Sequence, residues 1–208
     1  SPSIAINNTN SWLSNDPQGL TSSETASNLN LSNFGIIVFS DPKSDKWSSF
    51  NFGMGMNRLQ NFNQNFFFDG SSPGSITDQF VEEANSSTNY NPFGAGVAID
   101  AEAVYDLDED GTFETDYFLA TGEPVYRQQF VTREGSINEL TFAFAGNFQE
   151  RFMVGLSVGI PFLNFTQTKT YAEEDLGEGT AGNVPYFDNL AYREYLSTTG
   201  TGVNFKLG

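Results

Sequence analysis

Three aspartates at alternate positions, Asp106, Asp108 and Asp110, are followed by Gly111 and Glu114, and they are the residues whose type and spacing most directly suggest chemistry. Carboxylates at every second position can converge on a hard cation, and a glycine after the third permits the sharp turn that brings them together, as in calcium loops of the EF type. The candidate ligands are Asp106, Asp108, Asp110, Thr112 and Glu114. The match is partial. The twelfth position, where such a loop carries a bidentate Glu, holds Tyr117, and Asp116 falls one place early. A solvated acidic loop tip accounts for the same residues, so two expectations stand side by side: calcium bound with modest affinity, or no cofactor at all.

Other chemistry is limited by what the chain lacks. It contains no Cys and no His, which removes the usual base for a serine nucleophile, the Cys–His pair, and the nitrogen and sulfur ligands of zinc. Paired carboxylates of the glycosidase kind remain, but no nucleophile, base and orienting group fall into one constellation, and the chain is expected not to be an enzyme. A net charge of −17 with nine Lys and Arg opposes a nucleic-acid partner. No apolar run approaches the length of a transmembrane helix, and residues 1–10 do not read as a signal peptide. A transmembrane barrel strand needs only about 9–11 residues of alternating polarity, which averaged hydropathy hides. The 21 Phe, 8 Tyr and 2 Trp occur beside 20 Gly, a pairing expected where aromatic girdles face lipid and small residues face a lumen.

The elements that must position these residues are strands. From Trp47, Phe50, Phe52, Met54 and Met56 alternate with Asn51, Gly53, Gly55 and Asn57, strict period two with one large apolar face. Leu140, Phe142 and Phe144 repeat the pattern against Thr141, Ala143 and Ala145. After the polar stretch 147–151, Phe152, Val154, Leu156, Val158 and Ile160 oppose Gly155, Ser157 and Gly159, which predicts a hairpin. Weaker strands are expected over residues 3–7, 29–39 and 190–207, six in all. Long connections (about 8–26, 69–135 and 172–189) alternate with short ones (40–46 and 147–151), the pattern of an up-and-down barrel. Of 26 acidic residues, 14 lie in 69–135 and 5 in 172–189, so the long connections carry the charge. The expected fold is all-β: an antiparallel up-and-down transmembrane barrel in a single domain. Six strands fall short of the minimum of about 8 for such barrels, so the chain is expected to be part of a larger one.

Several blocks resemble the FadL family of outer-membrane transport proteins: SIAINNTN, KWSSFNFGMGMNRLQNFNQNF, GSINELTFAFAGNF, VGLSVGIPFLNFT and FDNLAYREYLSTTGTGVNFKLG. They cover most of the chain in order, and none is a catalytic motif. The resemblance implies a monomeric barrel of about 14 strands in the outer membrane of a Gram-negative bacterium. It implies passive uptake of fatty acids or other hydrophobic small molecules, with outer-membrane lipid as the surrounding partner. The family's N-terminal plug and Asn-Pro-Ala signature are absent from these residues, and the C-terminal strands are expected to be missing too.

Residues 69–135 are expected to form a long extracellular loop with a helix near 75–85, capped by Ser75 with Asp78 in its first turn. Phe66, Phe67, Phe68, Phe80, Val81 and Phe93 are candidate lining for a hydrophobic capture groove; packing of the loop onto the barrel rim is the competing role. Gly53 and Gly55 suit either a strand kink with a lateral opening or small residues facing a crowded lumen. A different class of function fits the acidic loops and the alternation equally well: a secreted, soluble β-rich binding module stabilised by calcium. It leaves the regular long–short connections unexplained.

Overall fold

The structure is a computed structural model that describes residues 3–13, 22–42, 44, 46–86, 89–116, 124–175 and 187–208. Eight strands and two short helices occupy them. In chain order they are β1 (Ser3–Leu13), β2 (Ser22–Ser40), β3 (Trp47–Asn61), β4 (Gln64–Pro73), α1 (Ile76–Ser86), α2 (Ala95–Asp100), β5 (Pro124–Phe148), β6 (Phe152–Glu174), β7 (Asn189–Thr201) and β8 (Asn204–Leu207). The strands form one sheet in the order β1-β2-β3-β5-β6-β7, while β4 also pairs with β5 and β8 with β6. The pairs β1–β2, β2–β3, β3–β5 and β6–β8 are antiparallel. The fold is therefore all-β and mainly antiparallel. Among the described residues the sheet is open, with β1 and β7 at its edges.

Eight strands replace the six expected because two strand paths are interrupted. The first path breaks at Phe62 and Asn63, between β3 and β4, beside Gly135 of β5. There Phe62 N–H donates to the Gly135 carbonyl (3.0 Å) and Gly135 N–H donates to Asn63 Oδ1 (3.0 Å). Gly135 has φ +126°, and a Cβ on it would overlap the Asn164 carbonyl oxygen, so only glycine fits this bend. The second path breaks between β7 and β8, where Gly202 N–H donates to the Pro161 carbonyl of β6 (3.1 Å).

The strands are also longer than their apolar stretches. β1 and β2 pair from Ser3↔Asn33 to Leu13↔Ser22, so most of the expected 8–26 loop is strand; its remainder, 14–21, lies outside the described residues. Likewise β4 and the first half of β5 occupy both ends of the expected 69–135 loop. The hairpin between β5 and β6 turns at Gln149 and Glu150, both with positive φ (52° and 53°), and Arg151 N–H donates to the Phe148 carbonyl (3.1 Å). That is a type I′ turn built without glycine or asparagine. Gln149 N–H also donates to the Lys46 carbonyl (2.9 Å), so the two short turns lie side by side.

The chain divides into two compact units. The sheet unit comprises Ser1–Phe67, Val131–Lys169 and Glu194–Gly208. Its register puts Phe52 opposite Phe144 and Met54 opposite Phe142, while Gly53 faces Ala143 and Gly55 faces Thr141. Phe50, Phe52, Met54, Met56, Phe144, Val154 and Leu156 are exposed, whereas Asn51, Gly53, Gly55 and Thr141 are half-buried. In β2 both faces are apolar: Ile36 and Val38 lie with Met54 and Phe52, Ile37 and Phe39 with Gly53 and Asn51. Trp47, Phe50 and Phe148 cluster at the short-turn end, with ring centroids 4.8 and 5.2 Å from Trp47.

The helical unit comprises Phe68–Phe130 and Thr170–Arg193, and it has an ordinary core. Phe80, Ala84, Ala95, Ala98 and Val104 are buried together, flanked by Ile76, Val81, Tyr90, Ile99, Phe113 and Tyr192. A capping box starts α1: Ser75 Oγ accepts from Thr77 N–H (3.1 Å), and Ser75 N–H donates to Asp78 Oδ2 (3.0 Å). Glu173 of β6, fully buried, adds a second anchor. It accepts from Ile76 N–H (2.9 Å), the Tyr171 hydroxyl (2.6 Å) and the Ser75 hydroxyl, and pairs with Arg127 Nε at 3.6 Å.

Candidate functional site

The acidic loop is built on a two-residue ladder. Tyr105 and Glu114 exchange backbone hydrogen bonds (3.0 and 2.8 Å) and so close the segment between them. The end of α1 pins it further, because the Asn85 amide bonds both the N–H and the carbonyl of Phe113, each at 2.8 Å. Inside the loop, Asp106 accepts from Asp110 N–H (3.2 Å) and Gly111 N–H (2.9 Å), and Asp110 accepts from Thr112 N–H (2.8 Å). Gly111 takes φ +87°, the left-handed turn expected of it.

The structure brings Asp106, Asp108 and Asp110 together, with one carboxylate oxygen from each within 4.8 Å of the others. Asp106 is half-buried; Asp108 and Asp110 are exposed, as are Thr112 and Glu114. Such a group can serve a hard cation that takes oxygen ligands, with calcium the best match for a flexible, partly solvated set. Tyr117, the twelfth position, lies outside the described residues. Asp116 instead accepts from the Tyr105 hydroxyl (2.6 Å). That hydrogen bond, with burial and the charges of Asp116 and Glu114 adding to it, pushes the Tyr105 phenol up to about 12.

The six groove candidates fall in different settings. Phe80 is 5% exposed, at the centre of the helical core, with its ring 5.5 Å from that of Tyr192, and Val81 packs beside that core. Phe93 is 76% exposed, and its carbonyl accepts from the Tyr192 hydroxyl (2.5 Å). Phe66, Phe67 and Phe68 are consecutive half-buried residues of β4, so their side chains alternate between the faces of the strand. Phe80 therefore supplies packing to the helical unit; Phe93 is the member of the set open to a solute.

Two cavities of the sheet unit were not expected from the sequence. One, about 480 Å³, is apolar and includes Val38, Trp47, Phe50, Phe144 and Leu156 in its walls. The other, about 450 Å³, is polar and sits at the β3–β4 break, with Arg133 in its wall. The alternation of Phe50 to Met56 could have located the first. The second carries no local signal, since it depends on the break between two strands. In comparisons with known proteins, no family model, curated protein or solved structure matches the chain.

Proposed function

We propose that this chain forms part of the wall of an outer-membrane β-barrel of the FadL type, in a Gram-negative bacterium, which admits hydrophobic compounds such as long-chain fatty acids by passive diffusion. In this proposal it is not an enzyme. Outer-membrane lipid surrounds a monomeric barrel, and apolar small molecules are the cargo.

The observation that carries the proposal is the distribution of burial in the sheet unit. Among its described residues Val131 is the one buried hydrophobic, while Phe50, Phe52, Met54, Phe144, Val154 and Leu156 form an exposed apolar face. A continuous apolar surface of this kind marks contact with a membrane or a partner, since water-soluble monomers rarely leave one uncovered. In β3 and β5 the opposite face carries small and polar side chains (Asn51, Gly53, Gly55, Thr141 and Ala143), which suit a lumen. Meander connectivity and the paired short turns agree with short connections at one edge of a barrel.

One experiment tests the membrane setting and a second the transport. Trp47 lies in the aromatic cluster at the short-turn end, where a girdle would meet the bilayer interface. With Trp12→Phe removing the other indole, the chain reconstituted in vesicles of acyl-brominated phosphatidylcholine should show strong quenching of Trp47. Fluorescence equal to that in unbrominated vesicles would refute the membrane setting. Cells carrying the protein should take up radiolabelled oleate faster than cells without it; equal rates would refute the transport role.

A second function draws on the Asp106–Asp110 cluster and the conventional core of the helical unit: a secreted binding module held together by calcium. It predicts that the protein remains monodisperse without detergent and gains thermal stability on adding calcium. Aggregation on detergent removal counts against it.

A further inference from the structure

The polar cavity of the sheet unit contains a cation in a setting suited to a ligand. Gln60, Asn61, Asn63, Gln64 and Gln167 contribute amide groups to its wall, and Arg133 is its one charged residue. Phe62 and Phe165 contribute rings packed edge to face with centroids 5.2 Å apart. Arg133 is held from two sides. Its Nε donates to Gln167 Oε1 (2.8 Å), and its guanidinium carbon lies 5.1 Å from the centroid of the Phe66 ring. A planar guanidinium fixed by a stacking ring and one hydrogen bond keeps its remaining N–H groups in a set direction, at little further entropy cost when they engage a ligand.

We propose that this cavity is a binding site for a small amphiphilic carboxylate, with Arg133 pairing the carboxylate, the amides bonding polar substituents and the phenylalanine rings covering an apolar body. A wholly apolar solute would cover the remaining N–H groups of the guanidinium, those beyond the Nε bond to Gln167, without offering them an acceptor, which disfavours it. A cationic ligand would meet Arg133 without an opposing acid in the wall. An anion with a planar, two-oxygen head matches the fork of the guanidinium, and aromatic walls favour a flat or short body over a strongly hydrated ion. The site stands independently of the membrane setting, because it rests on side chains of one unit and on the strand break at Gly135.

The test is equilibrium binding of benzoate to the whole chain in detergent micelles, followed by ligand-observed NMR, with benzamide as the neutral counterpart of the same shape. The native chain should prefer benzoate by at least about tenfold, the scale of a hydrogen bond to a charged group. Arg133→Gln should abolish that preference while leaving benzamide binding unchanged. Gln167→Glu keeps the guanidinium in place but supplies a competing carboxylate, so it too should remove the preference, and it provides the decision if Arg133→Gln does not fold. Equal affinity of the native chain for the two probes, or an undiminished preference in a folded Arg133→Gln or Gln167→Glu chain, overturns the proposal.

Discussion

In the helical unit Phe80, Ala95 and Val104 are enclosed while Asp108, Glu109 and Asp110 face outward. In the sheet unit the arrangement is reversed: Phe52, Met54 and Phe144 face outward, while Gly53 and Thr141 are the more sheltered and Glu139 is buried, bonded by the Thr141 hydroxyl (2.9 Å) and the Asn204 amide (3.0 Å). One sequence thus follows two rules of burial. The helical unit is organised as water requires, with apolar groups gathered inward. In the sheet unit backbone pairing holds the strands, and the apolar side chains are left for the surroundings to cover. The contrast teaches that hydrophobic content alone does not locate a core; which side of the strand carries it decides what medium the strand needs.

The largest test of the contrast is substitution of one aromatic residue in each unit. Phe80→Ala should destabilise the helical unit by about 3–5 kcal/mol, as loss of an enclosed ring does, measured by denaturant unfolding. In the sheet unit, Phe144→Arg should cost about 2–4 kcal/mol in lipid vesicles if it sits near the bilayer midplane, and under about 0.5 kcal/mol if that face meets water. A neutral result in vesicles breaks the comparison. Glu173→Ala should destabilise the helical unit by roughly 2–3 kcal/mol, because Ile76 N–H and the Tyr171 hydroxyl lose their acceptor and Arg127 loses its counter-charge together. Replacing Gln149 and Glu150 with Asn and Gly should stabilise the β5–β6 hairpin by about 1–2 kcal/mol, since those residues adopt the left-handed conformation with less strain.

The smallest effect is spectroscopic. The Tyr105 phenol, raised to about 12, should ionise well after ordinary tyrosines in an absorbance titration near the phenolate band, with Tyr105→Phe identifying its contribution. Because the folded value lies above the unfolded one, the stabilisation is fully present below about pH 10 and is lost as pH rises through about 12. Asp116→Asn should bring the midpoint down toward 10 by removing the largest cause, the charged hydrogen-bond acceptor.

The sequence makes strand centres legible where the two faces differ: Phe50 to Met56, Leu140 to Phe144 and Phe152 to Ile160 all show period two. Strand ends are a different matter. The first half of β2, SSETASNLN, and the start of β5, PVYRQQFVTREG, carry polar residues on both faces, so alternation gives no sign of the pairing that extends them. The α1 start is legible because Ser75 and Asp78 form a local capping pair. By contrast α2 is six residues long, and its first turn is met by Glu83, twelve positions before Ala95, whose carboxylate accepts from Ala95 N–H (3.2 Å). The Asp106–Asp110 convergence was readable from spacing, whereas the Arg133 cavity was not. It needs Arg133, Gln167 and Phe66, from three strands, around a break that no single segment encodes.

The two left-handed residues at the β5–β6 reversal also bear on the order in which the sheet assembles. A reversal that strains its own backbone makes a poor nucleus, so β5 and β6 are not expected to zip together first from their shared end, although they are neighbours in the chain. Docking of β5 against β3, where Phe52 meets Phe144 at a ring separation of 4.9 Å, offers the earlier reward, and the bend then closes under tension supplied by contacts already made. Relaxing that bend should therefore slow unfolding more than it hastens refolding, a kinetic signature distinct from any change in final stability.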